Sequence, residues 1–480
     1  MTAAVAAVDL GATSGRVMLG YVNHNELRLV PISRFPNHPV RQADGLHWDL
    51  TGLYRHALDG LAAATRQEPG LVSIGVDSWA VDYALLAGGR TLGEPFHYRD
   101  ERTAAGVQAT EALVDRAELY AANGLQFLPF TTLYQLAADR ISGRLDQADT
   151  FLLVPDLINF WLTGEQFAEK TNASTTGLLD PRTGRWNDTL IGRLALPRAV
   201  FPPLVDSGAR VGALLPDVAR QLGIPRKLTV HSVASHDTAS AVVAIPAATA
   251  DFAYISSGTW SLVGVELEHP VLTDAGRIAN FTNEGGVDGR IRYLKNVMGL
   301  WLLNESVGAW EAASGDRVDL PQLLQQAAEV DRPVAVFDVN DDRFLPPGDM
   351  PARIEQLCRE TGLPVPTGRA ELVRSMMESL AAAYADAVAA AHRLTGKNVA
   401  IVHLVGGGSQ NALLCQLTAD RTGMPVIAGP VEATAIGNVL IQARAHGRLV
   451  GDLETLRALV LRSVSLTRYL PRTALHDTAQ

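Results

Sequence analysis

Residues 3–8, AAVAAV, form an unbroken run of small apolar side chains that meets Asp9 directly. Such a run predicts a strand buried on both faces. A turn rich in Gly and hydroxyl residues follows, and the chain leaves on Val17, Met18 and Leu19, which makes a strand–turn–strand hairpin. Further strands are predicted at 16–22, 27–34 and twice within LVSIGVDSWAVDYALL (71–86). Helical spacing marks 103–122, 132–146 and the part of 151–165 after Pro155, with Gly164 as its stop. The stretch 197–225, rich in Pro, Gly and Leu, reads as irregular, and 227–245 as strand, turn and a helix from about Asp237. Residues 247–267 give two strands around a Gly-Thr turn, and 294–306 reads as a core helix carrying Leu300, Trp301 and Leu303. Trp79 and Trp260 read as core. An amphipathic helix spans about 369–394 with Gly396 as C-cap. The chain then alternates: strand 399–405, a triple-Gly turn, helix 410–422, strand 425–428 and helix 432–446.

YISSGTWSLVGVE (254–266) can be laid over AVDLGATSGRVML (7–19), with Gly258 and Thr259 near residues 11–13. Two such hairpins suggest two related domains, with a boundary near 245. A chain of 480 residues has room for both. Its net charge of −10 argues against non-specific nucleic-acid binding, which needs basic surface. It says nothing against a locally positive nucleotide site. The two cysteines, Cys358 and Cys415, do not make a disulfide framework and have no zinc-ligand spacing. The first residues read as a strand rather than a signal peptide, and no apolar run has spanning length, so a cytoplasmic location is expected.

Four stretches carry candidate chemistry. The Gly/hydroxyl turn after Asp9 offers backbone N–H groups to a phosphate and a carboxylate to a cation; an ordinary hairpin turn explains it as well. In ASHDTASA (234–241), Asp237 reads as a general base or as a helix N-cap, and His236 alone as a satisfied polar residue. In LVGGGSQNALLCQ (404–416), three glycines let backbone approach a flat ligand before a helix that starts near Ser409. Lys295 and Asn296 are polar at the head of an apolar run. EATAIGNVLIQA (432–443) holds Gly437 inside a helix, which points to close helix packing and a connector without direct chemistry. No G-x-G-x-x-G, P-loop or G-x-S-x-G motif is present, which argues against a dinucleotide dehydrogenase and an esterase.

In order along the chain, DLGATSGR (9–16), GVDSWAVDY (75–83), SHDTASA (235–241), SSGTWSLVG (256–264) and VGGGSQN (405–411) resemble the FGGY carbohydrate kinases, within the actin–hexokinase–chaperone ATPase superfamily. YRDERT (98–103), NGLQFLPFTTLYQL (123–136), FTNEGGVDG (281–289) and LKNVMGLWLL (294–303) are similar to the rhamnulokinase branch. The resemblance implies an α/β fold of two ribonuclease-H-like, actin-like ATPase domains flanking a catalytic cleft. Residues 1–245 would bear the sugar site, the first phosphate loop and the base; residues 246–480 would bind ATP.

The implied reaction is transfer of the ATP γ-phosphoryl group to O1 of L-rhamnulose, with Mg²⁺. Ala12, Thr13, Ser14, Gly15 and Arg16 would hold ATP phosphates and Asp9 the Mg²⁺. Asp237 would be the general base, with Ala80, His236, Thr238 and Asn296 on the sugar. Thr259, Asn304 and Gly407 would meet the nucleotide. Ala80 stands where the branch carries Gly, and Asn304 where it carries Gln. Sugar and ATP are the implied partners, with no nucleic acid or membrane, as a monomer or dimer. The rivals are a kinase for another ketose such as L-fuculose and a non-catalytic ATP-dependent switch.

Overall fold

A computed structural model describes residues 3–224 and 228–472. Residue 225, the end of the stretch read as irregular, and Lys227, the start of the next expected strand, lie outside the described residues. The described chain falls into two compact units. One is drawn from Met1–Ala248, Glu266–Tyr293 and Ala433–Ser463, the other from Thr249–Val265, Leu294–Glu432 and Val464–Gln480. Two later segments, Glu266–Tyr293 and Ala433–Ser463, thus pack with the first unit.

The first unit is built on a six-stranded sheet. Its order is Arg210–Ala213, Thr229–His231, Ser73–Ser78, Ala3–Leu10, Ser14–Val22 and Leu27–Pro36. Ala3–Leu10 is buried along its whole length, as an all-apolar central strand must be. It pairs antiparallel with Ser14–Val22 and parallel with Ser73–Ser78, which sets Asp9 opposite Arg16 on one side and Asp77 on the other. Helix Leu50–Gln67 starts at Asp49, whose carboxylate accepts the Gly52 N–H at 2.8 Å, and buries Leu53, Ala57, Leu58, Leu61 and Ala64. That spacing is the apolar stripe of a helix laid on a sheet. Helix Ala433–Ala445 is packed tightly enough that a Cβ at Gly20 would strike Val439 and one at Gly75 would strike Asn438 and Gln442.

The second unit has a sheet of the same plan. Thr467–Tyr469, Val426–Ala428, Ile401–Val405, Phe252–Ser257 and Trp260–Leu267 lie side by side in that order, with Ile291–Met298 next. The first four pairings run antiparallel, parallel, parallel, antiparallel, as they do in the first sheet. The short sequence echo between the two hairpins is thus one part of a repeat that covers five strands of each sheet.

Several expected elements differ. Residues 103–122 form two helices, Thr103–Glu111 and Arg116–Asn123, because Asp115 starts a second helix by accepting the N–H groups of Ala117 and Glu118. The stretch 197–225 holds the edge strand Arg210–Ala213 and the helix Pro216–Gln221. The run 294–306 is a strand end followed by helix Trp301–Ser314, so Lys295 and Asn296 lie on the strand Ile291–Met298. A fully buried strand and a core helix both read as apolar runs, and periodicity alone does not separate them. Leu303 is buried as expected; Leu300 and Trp301 are half-buried. Trp79 is buried, and Trp260 is half-buried. Among the described residues no helix is long and apolar enough to cross a membrane.

Candidate active site

Three carboxylates gather at the ends of the first unit's central strands. Asp9 is buried, and the Arg16 Nε lies 3.0 Å from its Oδ2. Asp77, fully buried, is pushed well above the usual carboxylate range by its burial, then by the charges of Asp9 and Asp237. Its Oδ2 accepts the side-chain N–H of Asn438 at 2.5 Å, and its Oδ1 has no hydrogen-bond partner among the described residues. Gln442 holds Asn438 in place from the next helical turn: its Nε2 donates to Asn438 Oδ1 at 2.6 Å and to the Ala6 carbonyl at 3.0 Å. The helix read as a connector therefore reaches the acidic cluster directly. Gly437 on the same helix is there for packing, since a Cβ would overlap the carbonyl of Ser240.

The loop after Asp9 is tied down by Asn37. Its side chain donates to the Gly11 carbonyl at 2.9 Å, and its N–H donates to the Thr13 carbonyl at 3.0 Å. Thr13 is exposed and Ala12 and Ser14 are half-buried, so this loop presents itself to solvent. Gly15 is buried, and a Cβ there would run into the Phe35 ring, which gives it a packing role.

Asp237 opens helix Asp237–Val243 from its first position; His236 holds the cap position without a side-chain cap bond. The N-cap reading of Asp237 is thus one residue off. Asp237 Oδ1 accepts the Thr238 N–H at 2.5 Å and the Thr238 hydroxyl at 3.1 Å, and lies 3.4 Å from His236 Nε2. Among the described residues no donor reaches Oδ2. The side chain is 29% exposed, enough for a substrate hydroxyl to approach it. His236 is buried beside two groups that sequence reasoning passed over: Arg292 and Glu284.

A third such residue is Glu169. Its Oε2 accepts from the N–H and hydroxyl of Thr171, and from the N–H and hydroxyl of Ser235, each of the latter at 3.0 Å. Thr171 Oγ1 in turn accepts the His236 N–H at 3.3 Å. One buried carboxylate thus seats the turn that delivers His236 and Asp237. An Asp or Glu before TNAST carries no sequence signal beyond a helix N-cap, which it also is.

Ala80 is half-buried in the loop after Ser73–Ser78, next to Val81, whose φ of 69° is a left-handed conformation costly for a β-branched residue. Val81 is held there by Thr132, whose hydroxyl donates to its carbonyl at 2.7 Å. Below it, Asp82 accepts the indole N–H groups of Trp48 at 2.6 Å and Trp79 at 3.0 Å. Burial pushes Asp82 up to about 6 against those hydrogen bonds.

The second unit gathers the expected nucleotide residues. Gly258 and Thr259 turn between two strands, and their carbonyls accept the N–H groups of Leu300 and Trp301 at 2.9 and 3.2 Å. Gly299 permits this approach, since a Cβ would lie 2.8 Å from the Gly258 oxygen. Asn304 is exposed on the first turn of the helix so placed. The triple-Gly turn divides by role. Gly406 has φ 82° and presses on the Ser257 carbonyl, a Cβ at Gly408 would strike the Ser257 side chain, and Gly407 is exposed with nothing within 4 Å of a Cβ. The helix that follows is Ala412–Thr422, capped by Asn411 rather than begun at Ser409. Asn296 is half-buried on its strand.

Residues 4–244 match the N-terminal domain of the FGGY family of carbohydrate kinases, and residues 253–446 its C-terminal domain. The chain belongs to that family: it is a sugar kinase with the two-domain actin-like ATPase fold, and ATP is its co-substrate. It is 41% identical over 469 residues to a rhamnulokinase of Bacteroides thetaiotaomicron, covering 97% of this chain and 95% of that one. A rhamnulokinase of Pectobacterium atrosepticum is 43% identical over 473 residues, covering 98% and 93%. Among solved structures, a ligand-bound xylulose kinase from Lactobacillus acidophilus superposes with TM-score 0.78 at 17% identity, over 98% of this chain and 94% of that one. Plasmodium falciparum glycerol kinase with ADP superposes with TM-score 0.75 at 14% identity, over 98% and 94%. Likeness at that identity speaks for the fold alone.

Proposed function

We propose that this protein transfers the γ-phosphoryl group of ATP to O1 of L-rhamnulose, giving L-rhamnulose 1-phosphate and ADP, in rhamnose catabolism in the cytoplasm. The observation that carries the reading is the 41–43% identity to rhamnulokinases over nearly the whole of both chains. Asp237 is the general base: its open Oδ2 takes the proton of the attacking hydroxyl as the O–P bond forms. His236, Thr238, Asn296 and the backbone at Ala80 hold the ketose hydroxyls. Residues 12–16, Thr259, Asn304 and Gly407 hold the nucleotide, within functional halves 1–245 and 246–480. The positioning of these groups and the offset of phosphate charge supply most of the rate.

The residues present suit Mg²⁺. Magnesium is commonly bound by one or two carboxylates with waters and substrate phosphates, and Asp9 and Asp77 sit side by side in parallel register with negative charge in excess. Among the described residues no three His, Cys, Asp or Glu side chains are placed to hold a metal by themselves. Asp9 would hold the ion, whose charge offsets that of the phosphates when bound.

A panel of ketoses in an ADP-release assay tests the substrate. L-Rhamnulose should be preferred over L-fuculose, D-xylulose and L-ribulose; a better second sugar would move the substrate and leave the family unchanged. The Ala80 methyl, held beside the constrained Val81, keeps L-fuculose as the second reading. The switch alternative is not carried forward, since the family is one of enzymes. Asp237→Asn should lower kcat by about 10²–10⁴-fold while ATP binding by calorimetry persists; retention of most activity would remove the base assignment.

A further inference from the structure

Arg292 is fully buried, and each nitrogen of its guanidinium has a different neighbour. Nε donates to the Gly285 carbonyl at 2.9 Å, Nη1 lies 3.0 Å from Glu284 Oε2, and Nη2 lies 3.0 Å from His236 Nδ1. The group cannot swing away without breaking three contacts. A guanidinium is always protonated and every one of its N–H groups is a donor. The imidazole atom it faces must therefore supply a lone pair.

We infer that Arg292, held by Glu284, fixes His236 as the tautomer with the proton on Nε2. His236 then donates toward Asp237 Oδ1 and leaves Asp237 Oδ2 as the working oxygen. Glu284 Oε2 also lies 3.3 Å from Nδ1 and would accept a proton carried there. That alternative sets an Nδ1–H against an Arg292 N–H at 3.0 Å inside a buried site, two donors facing each other. It also leaves a lone pair on Nε2 facing a carboxylate oxygen 3.4 Å away. The Nε2–H tautomer removes both; it leaves the Nδ1 lone pair 3.3 Å from Glu284 Oε2, but the Arg292 guanidinium lies 3.0 Å from each of those two atoms and stands between their charges, so the donor–donor clash decides. Glu284 neutralises Arg292 instead: burial raises its pKa, the Arg292 charge beside it lowers it, and the group lies below its ordinary value. Arg292 is thus a positioning residue acting through His236. The second nitrogen of an imidazole commonly fixes what the first one offers.

The consequence for the base is directional. With Thr238 and His236 all donating to Oδ1, the carboxylate cannot flip freely, and a hydroxyl on Oδ2 meets a carboxylate of one orientation. This consequence rests on the assignment of Asp237 as base; the tautomer does not.

Protein labelled with ¹⁵N at histidine, read by long-range ¹H–¹⁵N correlation at neutral pH, tests the tautomer. His236→Asn identifies the His236 signals. The expected pattern is an Nε2 that carries its proton and an Nδ1 that does not. A protonated Nδ1, or an imidazolium, overturns the inference. Glu284→Leu with Arg292→Met removes both charges together, and such buried pairs are often replaceable by packed apolar residues without loss of stability. In that variant His236 should show a mixture of tautomers, with kcat down on the order of 10- to 100-fold, as for other losses of a group that orients a working side chain, and KM for ATP within about 2-fold. Arg292→Lys keeps a donor and should keep the tautomer and most of kcat. An unchanged tautomer and unchanged kcat in the double variant overturn the inference. If the double variant does not fold, the wild-type spectrum and Arg292→Lys decide. Should Asp237→Asn stay active, the base assignment falls while the tautomer measurement stands.

Discussion

Gly406, Gly407 and Gly408 are chemically identical, yet the structure asks three different things of them. The first two reasons are internal: a left-handed backbone at 406 and contact with Ser257 at both 406 and 408. Only Gly407 faces open space, which makes it, under the proposed function, the one whose missing side chain would serve the nucleotide. Gly407→Ala should leave stability within about 0.5 kcal/mol of wild type and weaken ATP binding measured by calorimetry. Gly408→Ala should cost roughly 1–3 kcal/mol, the usual penalty of overpacking, in urea unfolding. Equal effects from the two would remove the distinction. The cysteines show the same dependence on setting. Both are buried, and burial pushes the Cys415 thiol up to about 12 and raises that of Cys358. A thiolate-selective reagent should therefore label neither cysteine in the native protein and both after denaturation. Fast labelling of the native protein would contradict the buried placement.

Helix Ala433–Ala445 does more than join two segments. Its Gly20, Gly75 and Gly437 contacts bring it close to the first sheet and to helix Asp237–Val243, and that closeness lets Asn438 reach Asp77. A methyl at Gly437 would overlap the Ser240 carbonyl, so Gly437→Ala should destabilise by about 2 kcal/mol or more. Gly308 offers the control. It sits exposed in helix Trp301–Ser314 with nothing within 4 Å of a Cβ, so Gly308→Ala should stabilise by roughly 0.5–1 kcal/mol. Thermal or urea unfolding of the two variants should move in opposite directions. The same helix separates by pattern from the misread run 294–306: one turns its small residues to its neighbours, while the other changes from strand to helix at Gly299, where Trp260 lies too close for a side chain.

Over the whole molecule, buried acids give stability an unusual pH dependence. Asp82 titrates at about 6 when folded, against 3.8 for its ordinary value, because burial disfavours its charge. The native state thus binds this proton more tightly than the unfolded chain. Stability from this group is present below about pH 4 and is lost as pH rises towards 6. The difference corresponds to on the order of 3 kcal/mol. Asp77 and Asp156 are also raised by burial and act in the same direction. Asp82→Asn should flatten the fall in urea-unfolding stability between pH 4 and 6; a parallel profile would mean that Asp82 does not titrate there.

Local information was enough to recover much of this protein. The apolar run ending at Asp9, the Gly164 and Gly396 helix stops, the strand–turn–helix at Asp237 and the echo between the two hairpins were all legible, because each is set by neighbours a few residues apart. The motif series also sufficed for the family. What was not legible depends on residues far apart in the chain. Asn438 meets Asp77 across 361 positions, Ser235 meets Glu169 across 66, and Arg292 meets His236 across 56. Periodicity reports which face of an element is apolar, but not which remote side chain will neutralise a buried charge. That choice is made when sheets and helices pack, since a carboxylate or imidazole taken out of water must find its partners among whatever that packing brings near.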